Sequence, residues 1–150
     1  MDLILWRHAE AEPGEPDLGR RLTAKGLQQA ERMGEWLDRH LPDGTRVLVS
    51  PADRAQQTAL ALKRKFNLVD EIAPGASVAD ALLAAGWPEA LEPVLVVGHQ
   101  PTLGAVAAFL LSGKEVCWTV KQGAVWWLTN GDRGRSSAVV LRVAIGPDFV

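Results

Sequence analysis

Leu3-Ile4-Leu5-Trp6 followed directly by Arg7-His8 is the stretch on which the fold turns. Four apolar residues in unbroken succession, with no polar alternation, describe a strand covered on both faces, as in a parallel sheet. Two later stretches repeat the pattern. Arg46-Val47-Leu48-Val49 leads into Ser50-Pro51-Ala52-Asp53-Arg54, and Val94-Leu95-Val96-Val97 leads into Gly98-His99. Each apolar run therefore ends in polar or charged residues. Open α/β sheets build their sites at the carboxyl ends of their strands.

Helical patterns separate these runs. After Thr23, a candidate cap, Leu27, Ala30, Met33, Gly34, Leu37 and Leu41 recur at spacings of three and four. Ser50 as N-cap and Pro51 at the first helical position predict a second helix reaching about Phe66. Shorter helices are predicted over Val78 to Ala85, between Ser77 and Gly86, and over Thr102 to Ser112, closed by Gly113. Strands are expected over Ala124 to Thr129 and Ala138 to Val143, joined as an antiparallel hairpin through Asn130 to Arg135. The order β-α-β-α-(β)-α-β-α-β-β predicts an α/β fold, a three-layer α/β/α sandwich with a mostly parallel central sheet, as one domain over 1–150. Residues 9–20 are the long irregular loop, and they follow Arg7-His8 closely enough to border a site.

Composition narrows the function. The net charge of −2 gives no bulk case for nucleic acid or an anionic membrane. No apolar stretch approaches the roughly 20 residues of a membrane span. No basic leader precedes the first strand, so a cytoplasmic protein is expected. Cys117 is the single cysteine and is expected to be a buried free thiol. The three histidines are far apart, without His-Glu-x-x-His or a Cys pair, so no metal site is expected. There is no G-x-x-x-x-G-K-[ST] loop and no dinucleotide fingerprint, and no cofactor is expected. Most of the six tryptophans read as core. Trp36 lies off its helix's apolar stripe, and Trp126-Trp127 must face opposite sides of a strand.

Three strand ends offer Arg7, His8, Arg54 and His99. A phosphoryl dianion needs cationic donors in fixed geometry, and arginine's planar fork suits phosphate oxygens. At about 4 Å and an effective dielectric of about 20, each charge pair is worth about 4 kcal/mol before desolvation. A histidine beside two arginines is biased toward its neutral form and can attack phosphorus, while a second histidine donates to the phosphoryl oxygens. Taken singly, His8 and His99 are ordinary sheet-edge histidines, and Arg54 is a helix-start residue opposing the dipole. His40, near a helix C-terminus, has a favourable dipole contact and no catalytic role.

These residues resemble the histidine phosphatase superfamily, with its phosphoglycerate mutase-like fold, and in particular the small SixA-type phosphohistidine phosphatase branch. The resemblance rests on Arg7-His8-Ala9, on Ser50-Pro51-Ala52-Asp53-Arg54-Ala55-Gln56-Gln57-Thr58, on Gly98-His99, and on Arg20-Arg21-Leu22-Thr23-Ala24-Lys25-Gly26. Ala9 stands where the family has glycine, Gln100 where asparagine is common, and Arg21 where it has proline. The resemblance implies that His8 is the nucleophile, that Arg7, Arg54 and His99 form the phosphate pocket, and that Arg20 is an accessory. No acid is marked among Asp70, Glu71, Asp80, Glu89 and Glu92, where larger members carry theirs; Glu10, Glu12 and Asp17 are the candidate general acids. A phosphohistidine leaving group depends less on an enzyme acid than an alkoxide does. The expected activity is a metal-independent phosphatase acting through a covalent phosphohistidine, with a phosphohistidine-bearing protein as substrate and a monomer or weak dimer as the active form. A small-molecule phosphomonoesterase with the same residues is the alternative, and a non-catalytic phosphoprotein-binding module the more remote one.

Overall fold

The computed structural model describes residues 1–131 and 138–150. Its strands and helices are β1 (Asp2–Arg7), α1 (Ala24–His40), β2 (Arg46–Val49), α2 (Asp53–Leu60), β3 (Asn67–Leu68), α3 (Val78–Ala85), β4 (Val94–Gly98), α4 (Thr102–Ser112), β5 (Val125–Thr129) and β6 (Val140–Ile145). They build one sheet in the order β3-β2-β4-β1-β5-β6. β1, β4, β2 and β3 run parallel, while β5 and β6 are antiparallel to their neighbours. The α/β order and the antiparallel C-terminal pair are as the sequence predicts. The predicted connecting turn lies, from Asp132 onward, outside the described residues.

The unbroken apolar runs have a direct physical cause. Alternate residues of each strand enter opposite cores. Leu3, Leu5, Leu48, Val94 and Val96 pack with Val78, Ala81 and Ala85 of α3 and Leu103, Val106 and Ala107 of α4. Ile4, Trp6, Val47, Val49, Leu95 and Val97 pack on the other face with Met33 and Leu37 of α1 and Ala55 and Ala59 of α2. A strand buried on both sides has no place for a polar residue until it leaves the sheet. Trp126 and Trp127 divide between the two faces in the same way.

Local chemistry sets the helix ends. The Thr23 hydroxyl accepts from the Gly26 amide, and the Ser77 hydroxyl from the Asp80 amide. Gly86 and Gly113 close their helices in the left-handed conformation. Several expectations need correction. α2 begins at Asp53 with Ala52 as cap, not with Ser50 as cap and Pro51 first; the Ser50 hydroxyl accepts from the Ala52 amide before the helix and faces His99. α2 also stops at Leu60, well short of Phe66, since the chain turns through Lys63 at φ 60°. That turn brings Arg64 to the end of α1, where its guanidinium donates to the carbonyls of Asp38, Leu41 and Pro42. Leu27 is half exposed rather than part of the buried stripe, which runs through Gly26, Ala30, Met33, Gly34 and Leu37. Cys117 is exposed rather than buried, because it lies in the irregular segment after α4. Trp36 is half-buried and stacks on His40, whose Nδ1 donates to the Trp36 carbonyl.

Gly26 matters to the loop beside the sheet edge. A Cβ at this position would overlap the carbonyl oxygen of Glu10. Gly26→Ala is expected to lose about 1–3 kcal/mol of stability through this overpacking. A urea denaturation midpoint that does not move would contradict the close approach. No described helix is long and apolar enough to cross a membrane.

Candidate active site

The parallel ladder continues past the strand ends and fixes the site. Arg7 is in register with Gly98, and the His8 amide donates to the Gly98 carbonyl at 3.0 Å. The Ser50 amide donates to the Val97 carbonyl at 3.0 Å. Three adjacent carboxyl ends thereby hold His8, His99 and Ser50 side by side, with β4 in the middle. The rings of His8 and His99 lie 5.2 Å apart between centroids, at 52°. Arg54, in the first turn of α2, is almost fully buried, at 4 % exposure. That burial separates it from an ordinary surface cation at a helix start.

His8 is held in one tautomer. Its Nδ1 lies 2.7 Å from the Ala9 carbonyl oxygen. A carbonyl only accepts, so Nδ1 carries the proton and Nε2 keeps a free lone pair. The Ala9 amide donates to the Thr58 hydroxyl at 3.0 Å, and that hydroxyl donates to the Arg54 carbonyl at 2.8 Å. One threonine therefore ties the loop after β1 to the helix that carries Arg54. His99 Nε2 sits 2.7 Å from the Ser50 hydroxyl. With His99 neutral, the serine can donate to Nε2, leaving Nδ1 as the N–H. Among the described residues, Arg7 Nε, Arg54 Nε and, in that tautomer, the His99 Nδ1–H are buried donors with no hydrogen-bond partner. Buried unpaired donors are costly, and an oxyanion is the partner that would satisfy all three.

The electrostatics follow from this packing. Burial is the main cause that pushes His8 down to about 4, with Arg54, Arg7 and Arg20 adding to it against the Ala9 hydrogen bond. Burial, then His8 and Arg54, takes His99 to about 3. Burial and then Arg54 also lower Arg7. Both histidines are thus neutral at physiological pH. In an imidazole-resolved NMR titration they are expected to stay unprotonated at pH 5.5, where an ordinary histidine is mostly charged. Added inorganic phosphate should raise both values, because a dianion favours the imidazolium. Midpoints near 6.5 for both rings would overturn this. The linkage sign is fixed as well: the unfolded chain binds more protons between pH 6.5 and about 4, so stability falls as the pH drops through that window.

Of the sequence-predicted residues, Arg7, His8, Arg54 and His99 meet at one sheet edge, and Arg20 is near enough to act on His8. Arg20 donates from Nε to the Glu12 carbonyl at 2.7 Å and from Nη1 to the Asp17 carboxylate at 3.2 Å. Asp17 also faces Arg54, which donates from Nη1 to its carbonyl at 2.7 Å and from Nη2 to its carboxylate at 3.2 Å. Arg20 first, and then Arg54, hold the Asp17 carboxyl below the usual carboxylate range, so it is ionised. Glu10 accepts from the Thr23 hydroxyl at 2.7 Å. Glu12 meets Arg20 through its backbone. Sequence reasoning assigned no role to Ser50 or Thr58 at the site. Thr58 closes the Ser50–Thr58 stretch on which the family resemblance partly rests, which is its one signal; Ser50 carries a strong local signal for a different job.

The family model of the histidine phosphatase superfamily (branch 1) matches residues 3–77. The phosphohistidine phosphatase SixA homolog of Haemophilus influenzae is 36% identical over 127 residues, covering 73% of this chain and 77% of that protein. Phosphohistidine phosphatase SixA of Escherichia coli is 32% identical over 123 residues, covering 76% of each. Among solved structures, the protein histidine phosphatase SixA complexed with tungstate superposes with a TM-score of 0.79 at 25% identity, covering 99% of each chain.

Proposed function

Because the chain belongs to the histidine phosphatase superfamily, we propose that it is a metal-independent phosphatase that removes phosphate from phosphohistidine on a signalling or phosphotransfer protein. One observation carries the mechanism. His8 keeps a free Nε2 lone pair beside three unpaired buried donors. Nε2 attacks phosphorus; a new P–N bond forms as the substrate's P–N bond breaks, and the leaving imidazole departs neutral if it arrives protonated. Arg7, Arg54 and His99 hold the three equatorial oxygens as charge develops on them. Water then attacks the phosphoryl group on His8, the P–Nε2 bond breaks, and a proton from water passes to solvent. The products are histidine and inorganic phosphate.

The ionised Asp17 is suited to holding Arg54 and Arg20 rather than to donating a proton. A phosphohistidine substrate, whose ring can arrive protonated, is the substrate that tolerates this best. Among the described residues, no three His, Cys, Asp or Glu side chains converge as metal ligands. The test is phosphate release from a phosphohistidine protein with chelator present. Release at an undiminished rate is expected, with kcat/KM well above that for sugar phosphates or nucleotides. Activity that appears only with added metal, or a preference for a small phosphomonoester, would refute the proposal.

A further inference from the structure

Beside the phosphate site the same sheet edge carries a second concavity, of about 590 Å³, which the mechanism does not use. Arg7, one of the four residues of the phosphate site, also lines this groove, which places the two next to each other. Trp126 of β5 and Ile145 of β6 give it an apolar floor, and Phe149 lines it as well. Phe149 is 83% exposed, an unusual state for a large aromatic with no described cover. Lys25 and Lys121 stand in its wall, and both are exposed. The ion pairs of the described residues do not involve either lysine. The groove's acids are Glu10 and Asp148, and the Glu10 carboxylate already accepts from Thr23. An apolar floor flanked by uncommitted cations fits a chain segment that presents an apolar side chain and a carboxylate.

We propose that this groove docks the segment of the substrate protein next to its phosphohistidine, and that it selects segments carrying an apolar and an acidic side chain there. The proposal rests on the phosphohistidine phosphatase reading and deepens it. The phosphoryl group would sit against His8 Nε2 with the substrate ring on its outer side, and the adjoining chain would lie over Arg7 into the groove. Lys121 and Phe149 are then specificity residues rather than catalytic ones.

The probes are two synthetic peptides with one histidine each, one flanked by Leu and Glu and the other by Ser and Lys at the same positions. Binding of the labelled, unphosphorylated peptides is measured by fluorescence anisotropy, independently of turnover. The Leu/Glu peptide is expected to bind about tenfold more tightly. Lys121→Glu should remove or invert that preference, and Phe149→Ser should weaken the Leu/Glu peptide alone. In the phosphorylated forms, the ratio of kcat/KM for the Leu/Glu peptide to that for free phosphohistidine should fall in Lys121→Glu. Equal binding of the two peptides, or a preference that neither substitution moves, would overturn the groove. If phosphohistidine is hydrolysed without such a preference, the groove fails and the phosphatase reading stands. If the preference and its dependence on Lys121 persist without hydrolysis, the groove stands and the phosphatase reading fails.

Discussion

Replacing His8 with alanine is expected to lower kcat/KM for a phosphohistidine protein by roughly 10⁴-fold or more, which is the scale for removing a nucleophile from an otherwise intact site. The reason lies in the ring's surroundings. Its Nδ1 proton is committed to the Ala9 carbonyl, so the reactive lone pair is the one on Nε2. Burial, aided by three arginines, keeps the ring neutral. His99 is in the same state, but its Nε2 is engaged with Ser50, so it is not poised to substitute as nucleophile. The alanine variant should therefore keep its fold and lose turnover. Acid-stable controls are unsuitable for a labile P–N bond, so the phosphoenzyme is best trapped by rapid alkaline quench. Labelled phosphate on the wild-type chain and none on the variant is the expected pair of results. Turnover within tenfold of wild type, with unchanged circular dichroism, would remove the covalent mechanism.

Arg54→Lys should cost about 10²–10³-fold in kcat/KM, although charge is conserved. The arginine side chain is buried and its fork makes two contacts to Asp17, while Nε remains unpaired for the phosphoryl group. A lysine is a single point of charge and cannot meet both demands. It would also loosen the loop that carries Asp17. Asp17→Asn tests the division of labour, because the asparagine retains the backbone carbonyl that accepts from Arg54 Nη1. If Asp17 positions Arg54, Asp17→Asn should cost less than about tenfold. A larger loss than that of Arg54→Lys would instead make Asp17 a proton donor.

Much of this site was legible because strand ends are loud in a parallel sheet. Arg7-His8 and Gly98-His99 follow runs with no other polar residue, so their position at a sheet edge follows directly from the pattern. Ser50 shows where local reasoning fails. Ser-Pro is a strong helix-start signal, yet the hydroxyl is drawn to His99, which lies 49 positions away in the chain. No local preference encodes that contact. Cys117 and Leu27 went the same way: their types favour burial, but the surface available to cover them was decided by packing.

The order of elements, the two-sided burial of β1 and β4, and the identity of the cations and imidazoles are readable from residue order, since these depend on periodicity and residue type within short windows. Which strands are neighbours is not, and it is the folded sheet that inserts β4 between β1 and β2 and sets His8 beside His99. It also decided the His8 tautomer, the grip of Arg54 on Asp17 and the groove next to Arg7. Each of those depends on atoms brought together across long stretches of chain, where hydrogen-bond geometry and desolvation act only after the sheet has closed.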